Sequence, residues 1–227
     1  MTAQFISDER QLIDQMSTPN DAVRDAVASL QGDVMILGVG GKMGPTLAEL
    51  LVRAGAPKVT GVSRFTDTSQ RSYLEGVGVA TIQADLLNEK DLSELPDATN
   101  IILLAGFKFG STGNESMTWA MNTAVPGLVM KRYPESRVIY VSSGNVYSYT
   151  DTSGLGSPEN GDLGPIGEYA QSRLGGERIA EYYATLQGTP LTIVRLFYAT
   201  ELRYGIIHDI VHKVSSDSPI DLEMGHV

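Results

Sequence analysis

Residues 36–51 read ILGVGGKMGPTLAELL. Gly38, Gly41 and Gly44 give the spacing G-x-x-G-x-x-G, and Gly40 adds a fourth glycine inside it. Upstream, Val34 to Leu37 is a short apolar run that reads as a buried strand. Downstream, Pro45 to Ala54 reads as a helix, with Pro at its first turn and Gly55 at its end. A glycine triplet alone carries little weight. One that leaves a first strand and opens a helix stands in the context that dinucleotide binding requires. Missing side chains let the backbone approach a pyrophosphate, and free N–H groups at the helix start, with the helix dipole, stabilise its charge. Gly38, Gly40, Gly41, Lys42, Met43 and Gly44 are therefore the first candidate cofactor residues. The alternative is a tight strand-to-helix turn with no ligand.

Outward from this loop the pattern alternates. Strands are expected at Lys58 to Ser63, Gly78 to Gln83, Asn100 to Ala105, Arg137 to Ser142 and Leu191 to Leu196. Helices are expected at about Ser116 to Lys131 and Glu168 to Leu186. Short strands separated by helices imply an α/β fold, a Rossmann-like doubly wound parallel sheet with helices on both faces. Residues 1–32 read as a helical appendage of two short helices. Ser7 or Asp8 would cap the first, and Ser17-Thr18-Pro19 would open the second. Residues 33–205 form the expected dinucleotide-binding domain, and residues 206–227 the start of a small substrate lobe. The loop from Ser148 to Gly167 is rich in Gly, Pro, Ser and Asp, and long loops of this kind commonly carry function.

Composition narrows the function. The 227 residues contain 17 Lys and Arg against 27 Asp and Glu, a formal net charge of −10. That balance argues against nucleic acid or an anionic membrane as partner. The chain has no cysteine, which removes disulfides, thiolate nucleophiles and Cys-ligated metal sites together. The beginning of the chain is polar and acidic, without an apolar signal region, and the longest apolar runs are strand-sized. A cytoplasmic protein is expected. His208 and His212 are four apart, but no third ligand or H-E-x-x-H accompanies them, so no metal is expected. Asn114-Glu115-Ser116 matches a glycosylation sequon that a cytoplasmic chain would not use.

The end of the second strand should choose between cofactors. An acid there would bond a ribose 2′-hydroxyl, and an Arg could hold a 2′-phosphate. The chain has Ser63-Arg64 and no acid until Asp67, so NADP is favoured over NAD. Arg64 stacking on the adenine, or lying in solvent, is the alternative. Asp85-Leu86, after the third strand, would sit near the adenine, and Ala105-Gly106, after the fourth, would let the backbone pass close to the cofactor.

The fifth strand ends in VIYVSSGNVYS, and a later helix begins EYAQSRLGGERIAEYY, which sets Ser143 and Tyr169 26 positions apart. With the glycine loop and Asp85-Leu86, this combination resembles the extended short-chain dehydrogenase/reductase family, the NAD(P)-dependent epimerases and dehydratases acting mostly on nucleotide sugars. The resemblance covers Asp33 to about Gly205. It implies that Tyr169 is the general acid/base, that Ser143 bonds the same substrate oxygen, and that the nicotinamide exchanges hydride at the adjacent carbon. It also implies a homodimer joined through the helices at 116–131 and 168–186, and a supporting role for Asn122, which could equally be an ordinary polar helix residue; Trp119 and Met117, Met121 and Met130 read as packing residues, including at a dimer face. The expected substrate is a sugar or sugar nucleotide, and the expected reaction epimerisation or reduction.

Four departures qualify this. The family cation, a Lys four residues after the Tyr, is here Arg173, which keeps the charge, so it can still lower the Tyr pKa and bond ribose hydroxyls, but cannot relay a proton; Asn122, Tyr169 and Arg173 thus join the candidate cofactor residues. Gly144-Asn145 stands where family dehydratases carry an Asp-Glu pair, so sugar 4,6-dehydration is not expected. Tyr198 replaces the Asn of an Arg-x-x-Asn motif that begins here at Arg195. The chain also stops early for the family, so either the substrate lobe is reduced or the sequence is a fragment. The alternative function is a weakened NAD(P)-binding regulator or scaffold. Lys108 lies near the expected site mouth and reads as a solvated side chain.

Overall fold

A computed structural model describes residues 6–108, 110–151, 153–197 and 205–220. Six strands form one parallel sheet: β1 (Val34–Leu37), β2 (Val59–Ser63), β3 (Ala80–Gln83), β4 (Asn100–Leu103), β5 (Arg137–Ser143) and β6 (Leu191–Leu196). Their spatial order is β3-β2-β1-β4-β5-β6. β1 is central, pairing Val34 with Val59 on one side and with Asn100 on the other. All four of its residues are buried, as expected for a parallel strand covered on both faces. The period of two divides them: Met35 and Leu37 join Ile101, Leu103, Tyr133 and Tyr140 in one core cluster, and Val34 and Ile36 join Ala48, Leu51 and Leu74 in the other. From β1 the chain builds β2 and β3 on one side, then crosses to β4 on the other. This puts a crevice at the carboxyl ends of these strands, where open α/β sheets bind ligands.

The helices follow from local signals. α1 (Glu9–Ser17) is capped by Asp8, whose side chain accepts from the Gln11 N–H at 2.9 Å. α2 (Asp21–Ala28) starts later than Ser17-Thr18-Pro19 would open it, with Asn20 as its cap. The reason is that the Ser17 and Thr18 hydroxyls bond back to the carbonyls of Ile13 and Asp14, finishing α1. α3 (Gly44–Arg53) follows the glycine loop. Its buried Glu49 accepts from Arg10 and Arg53 and from the Tyr73 hydroxyl, which ties α1 to α3 and to α4 (Thr68–Gly76). α4 and the short α5 (Glu89–Glu94) carry their own caps, Asp67 and Asn88, and neither was expected from periodicity.

The helix expected at 116–131 is interrupted. α6 (Glu115–Trp119) passes into a π-turn (Ala120–Ala124) and then into α7 (Val125–Arg132). Pro126 stands in the first turn of α7, has no N–H to donate, and its ring displaces the preceding carbonyl, so the ladder widens by one residue. Asn122 sits inside that widened turn, fully buried. α8 (Gly167–Gln187) and β6 run as expected. α9 (Ile206–Ser215) follows, with Ile207, Ile210, Val211 and Val214 exposed. Ile139 of β5 and Val194 of β6 are also exposed. Tyr198 lies outside the described residues. Among the described residues no helix is long and apolar enough to cross a membrane, and no cluster of three acidic or His side chains could hold a metal.

Candidate active site

A cleft of about 440 Å³ opens over the carboxyl ends of β1, β2, β3 and β4. Gly38, Gly40, Gly41, Ser63, Arg64, Asp85, Leu86, Ala105 and Gly106 all line it. Gly38 has φ +90°, and a Cβ there would meet the Ala105 backbone nitrogen at 2.6 Å. Any side chain would thus be strained and would push the β4 exit away. A Cβ on Gly44 would strike the Val39 carbonyl oxygen at 2.1 Å, so this glycine serves the close packing of α3 on the loop. Gly41 differs: an added Cβ would meet only the Gly38 oxygen, at 3.6 Å. The space above Gly41 is open, and the loop fits the close approach of a pyrophosphate there. Lys42, Met43 and Gly44 belong to the loop but not to the cleft wall.

The far wall contains residues that strand-end reasoning did not single out. Gln70 on α4 donates to the Gly40 carbonyl at 3.1 Å, and Ser63 Oγ would lie 2.5 Å from a Cβ on Gly40. The start of α4 therefore braces the glycine loop. Asp67 lines the same cleft as Arg64, and hydrogen bonds from the Ser69 hydroxyl and N–H hold its carboxyl below the ordinary range. The replacement Gly41→Ala is expected to leave the melting temperature within about 2 °C, since the new methyl meets no steric wall, yet to weaken dinucleotide binding at least tenfold. Calorimetry beside a thermal melt checks both halves.

Ser143, Tyr169 and Arg173 lie outside this cleft's lining. Ser143 ends β5, is buried, and exchanges hydrogen bonds with Asn145: its hydroxyl donates to Asn145 Oδ1 at 2.9 Å and accepts from the Asn145 N–H at 3.2 Å. Gly144 gives way to Phe197, because a Cβ there would lie 2.5 Å from the Phe ring. Tyr169 stands in the first turn of α8, half-buried, with Lys108 Nζ 5.5 Å from its ring centroid.

One turn later, Arg173 is buried and turned into the protein. Its Nη2 donates to the Val141 carbonyl, and its Nη1 lies 3.4 Å from the Ala105 carbonyl and 3.5 Å from Asn122 Oδ1. Its Nε has no hydrogen-bond partner among the described residues. Asn122 clamps the exit of β4: its Oδ1 accepts from the Phe107 N–H at 2.8 Å, and its Nδ2 donates to the Phe107 carbonyl and to Ser172 Oγ, each at 3.0 Å. The chain thus brings Gly106, Asn122, Tyr169 and Arg173 around one loop end, and leaves the Ser143 hydroxyl engaged with Asn145.

A second buried network was not legible beforehand. Glu177, with 0% exposure, pairs with Arg195 through Nη2 at 2.8 Å and Nε at 3.1 Å. Arg195 Nη1 also donates to the Tyr147 hydroxyl at 2.9 Å and to the Glu159 carbonyl at 3.3 Å. Tyr147 stacks on Phe197 at 5.9 Å. The long loop after Ser148 is in this way tied to α8 and β6, beside the site.

A model of the NAD dependent epimerase/dehydratase family matches residues 34–200. A curated 2-alkyl-3-oxoalkanoate reductase from Shewanella oneidensis is 27% identical over 135 residues, 58% of this chain and 34% of that protein. Among solved structures, a UDP-glucuronic acid 4-epimerase from Bacillus cereus in complex with NAD is 22% identical with a TM-score of 0.67, over 82% of this chain and 65% of that one. DesIV, a dTDP-glucose 4,6-dehydratase from Streptomyces venezuelae with NAD and TYD bound, is 20% identical with a TM-score of 0.69, over 82% and 62%. The chain spans about a third of the curated relative and under two thirds of these solved chains. At such identities the solved structures speak for the fold.

Proposed function

Because the chain belongs to the NAD dependent epimerase/dehydratase family, we propose that it binds a nicotinamide dinucleotide and takes part in hydride transfer at a carbinol or carbonyl carbon of a sugar or sugar nucleotide. The open glycine loop between β1 and α3, walled by Ser63, Arg64 and Gly106, is the observation that carries this reading. A bound nicotinamide would supply the hydride exchange. The chain's own part is the proton: Tyr169 gives one to the substrate oxygen as a ketone becomes an alcohol, and takes it back in the reverse direction. Ser143 donates a hydrogen bond to the same oxygen, which requires its hydroxyl to leave Asn145. The buried Arg173 and Asn122 hold the β4 exit against α8, and Gly106 there, without a side chain, would let a bound dinucleotide pass close to the backbone.

Gly144-Asn145 supports epimerisation or simple reduction over water elimination, since no acid pair stands there. The name of the curated reductase favours reduction within that choice. The exposed Trp119, Ile179 and Tyr182 support α6, α7 and α8 as a homodimer face. The second reading is a dinucleotide-binding regulator or scaffold without turnover, and it is favoured by Arg173 being committed to protein carbonyls.

Arg64 and Ser63 support NADP as the cofactor, while Asp67 in the same cleft supports NAD. Calorimetric titration with NADPH and NADH tests the whole reading. NADPH is expected to bind at least tenfold more tightly, and Arg64→Ala to erase that preference, because a lost charged hydrogen bond costs about 1.5–3 kcal/mol. Equal or NADH-favoured binding overturns the Arg64 assignment. Binding of neither overturns the enzyme reading.

A further inference from the structure

A tyrosine that carries a proton in a half-buried site is helped by a positive charge nearby, because its deprotonated form is an anion. The family resemblance points to Arg173 for this charge, and the structure turns Arg173 elsewhere. Its side chain is 4% exposed, its two terminal nitrogens face the Val141 and Ala105 carbonyls and Asn122, and its guanidinium lies 5.1 Å over the Tyr140 ring. Gly106 makes that burial feasible: a Cβ there would stand 2.6 Å from Arg173 Nη1. This arrangement joins the ends of β4 and β5 to α8. It is a structural clamp, and its charge is shared among several acceptors.

Another cation faces Tyr169. Lys108 Nζ lies 5.5 Å from the centre of the phenol ring. Lys108 is exposed and has no acidic partner among the described residues. Its backbone is held in place, because the preceding residue, Phe107, is gripped at both N–H and carbonyl by Asn122. Two further titratable groups stand beside Tyr169, Glu168 in the chain before it and Tyr140 on β5. Glu168 accepts from the Trp119 indole and stays an anion, so it lends a phenolate no stabilisation. Tyr140 on β5 is pushed by burial up to about 12 and stays protonated.

We propose that Lys108, and not Arg173, is the positioning residue that stabilises the Tyr169 phenolate during proton transfer, with Asn122 fixing the loop that presents it. This rests on the reading of Tyr169 as the proton carrier. The lysine reaches the tyrosine from the β4 exit loop and not from the tyrosine's own helix.

Lys108→Met, Lys108→Arg and Tyr169→Phe test it with two readouts. In the protein without cofactor, the alkaline tyrosinate absorbance lost in Tyr169→Phe isolates the Tyr169 signal. That signal is expected to come in at higher pH in Lys108→Met, because a cation facing the ring is gone, and to return with Lys108→Arg. In turnover from alcohol to ketone, where Tyr169 takes the proton, the acidic limb of the pH–rate profile should move the same way, with kcat down about tenfold at neutral pH and the cofactor KM unchanged. An unmoved tyrosinate signal overturns the proposal. So does a Lys108→Met variant whose substrate KM rises while the pH limb stays, which would make Lys108 a substrate anchor. Absence of turnover in the unmodified chain would sink the hydride-transfer reading alone, because the absorbance titration still decides what Lys108 does to Tyr169.

Discussion

Replacing Tyr169 by Phe is expected to lower turnover by about 10²–10⁴-fold, the range a positioned general acid/base supplies, while dinucleotide affinity stays within about twofold. The structural argument is that the change removes one hydroxyl and little else. The Tyr169 hydroxyl has no hydrogen-bond partner among the described residues, so its loss leaves no buried group unsatisfied. The ring keeps its place in the first turn of α8 and under Lys108. Tyr169 also lies outside the cleft that the glycine loop and Arg64 line, so binding there has no reason to change. Steady-state turnover beside calorimetry checks the two halves together. Activity that survives the substitution would mean that another group moves the proton, and the mechanism would be wrong.

The largest effect on stability is expected from Arg195→Met. Glu177 is wholly buried, and Arg195 is its only ion-pair partner among the described residues. The pair is bidentate, and the Glu177 carboxylate raises the proton affinity of the already strongly basic guanidinium, so Arg195 remains charged. Methionine leaves a buried carboxylate without a counter-charge, which costs about 3–5 kcal/mol. For a chain of this length that is a fall in melting temperature of roughly 10 °C. The double variant Glu177→Leu with Arg195→Met should recover most of the loss, because exchanging both charges for apolar groups is close to neutral. A thermal melt of the single and double variants measures this coupling. A loss under about 1 kcal/mol in the single variant would show the pair to be solvated and the account mistaken. The same network holds Tyr147 and the Glu159 carbonyl, so the loop after Ser148 should become protease-sensitive in the single variant.

Several parts of this protein could be read without its structure, and the reason is that their signals are local. The glycine spacing and its place between an apolar tetrapeptide and a Pro-opened helix lie within 18 consecutive residues, 34–51. The strands of a sheet covered on both faces appear as short apolar runs whatever their neighbours. The start of α2 and the π-turn were harder. The first depended on which side chain wins a competition for the backbone, since Ser17 and Thr18 turn back to α1 and leave the cap to Asn20. The second depended on how the chain relaxes around Pro126, and that relaxation decides where Asn122 points.

The sequence by itself determined the sheet, the glycine loop and the spacing of Ser143 and Tyr169, because backbone sterics, capping and hydrophobic period act over a few residues. Only the tertiary structure decided where the charges go. Arg173 could face the site or the core from the same helix position, and Gly106, 67 residues earlier, opens the space that draws it inward. Glu177 and Arg195 pair across α8 and β6, and Lys108 meets Tyr169 across 61 residues of chain. Such partners are chosen by distance and burial in the folded molecule, since a charge leaves water only where an opposite charge or a set of carbonyls is already waiting for it.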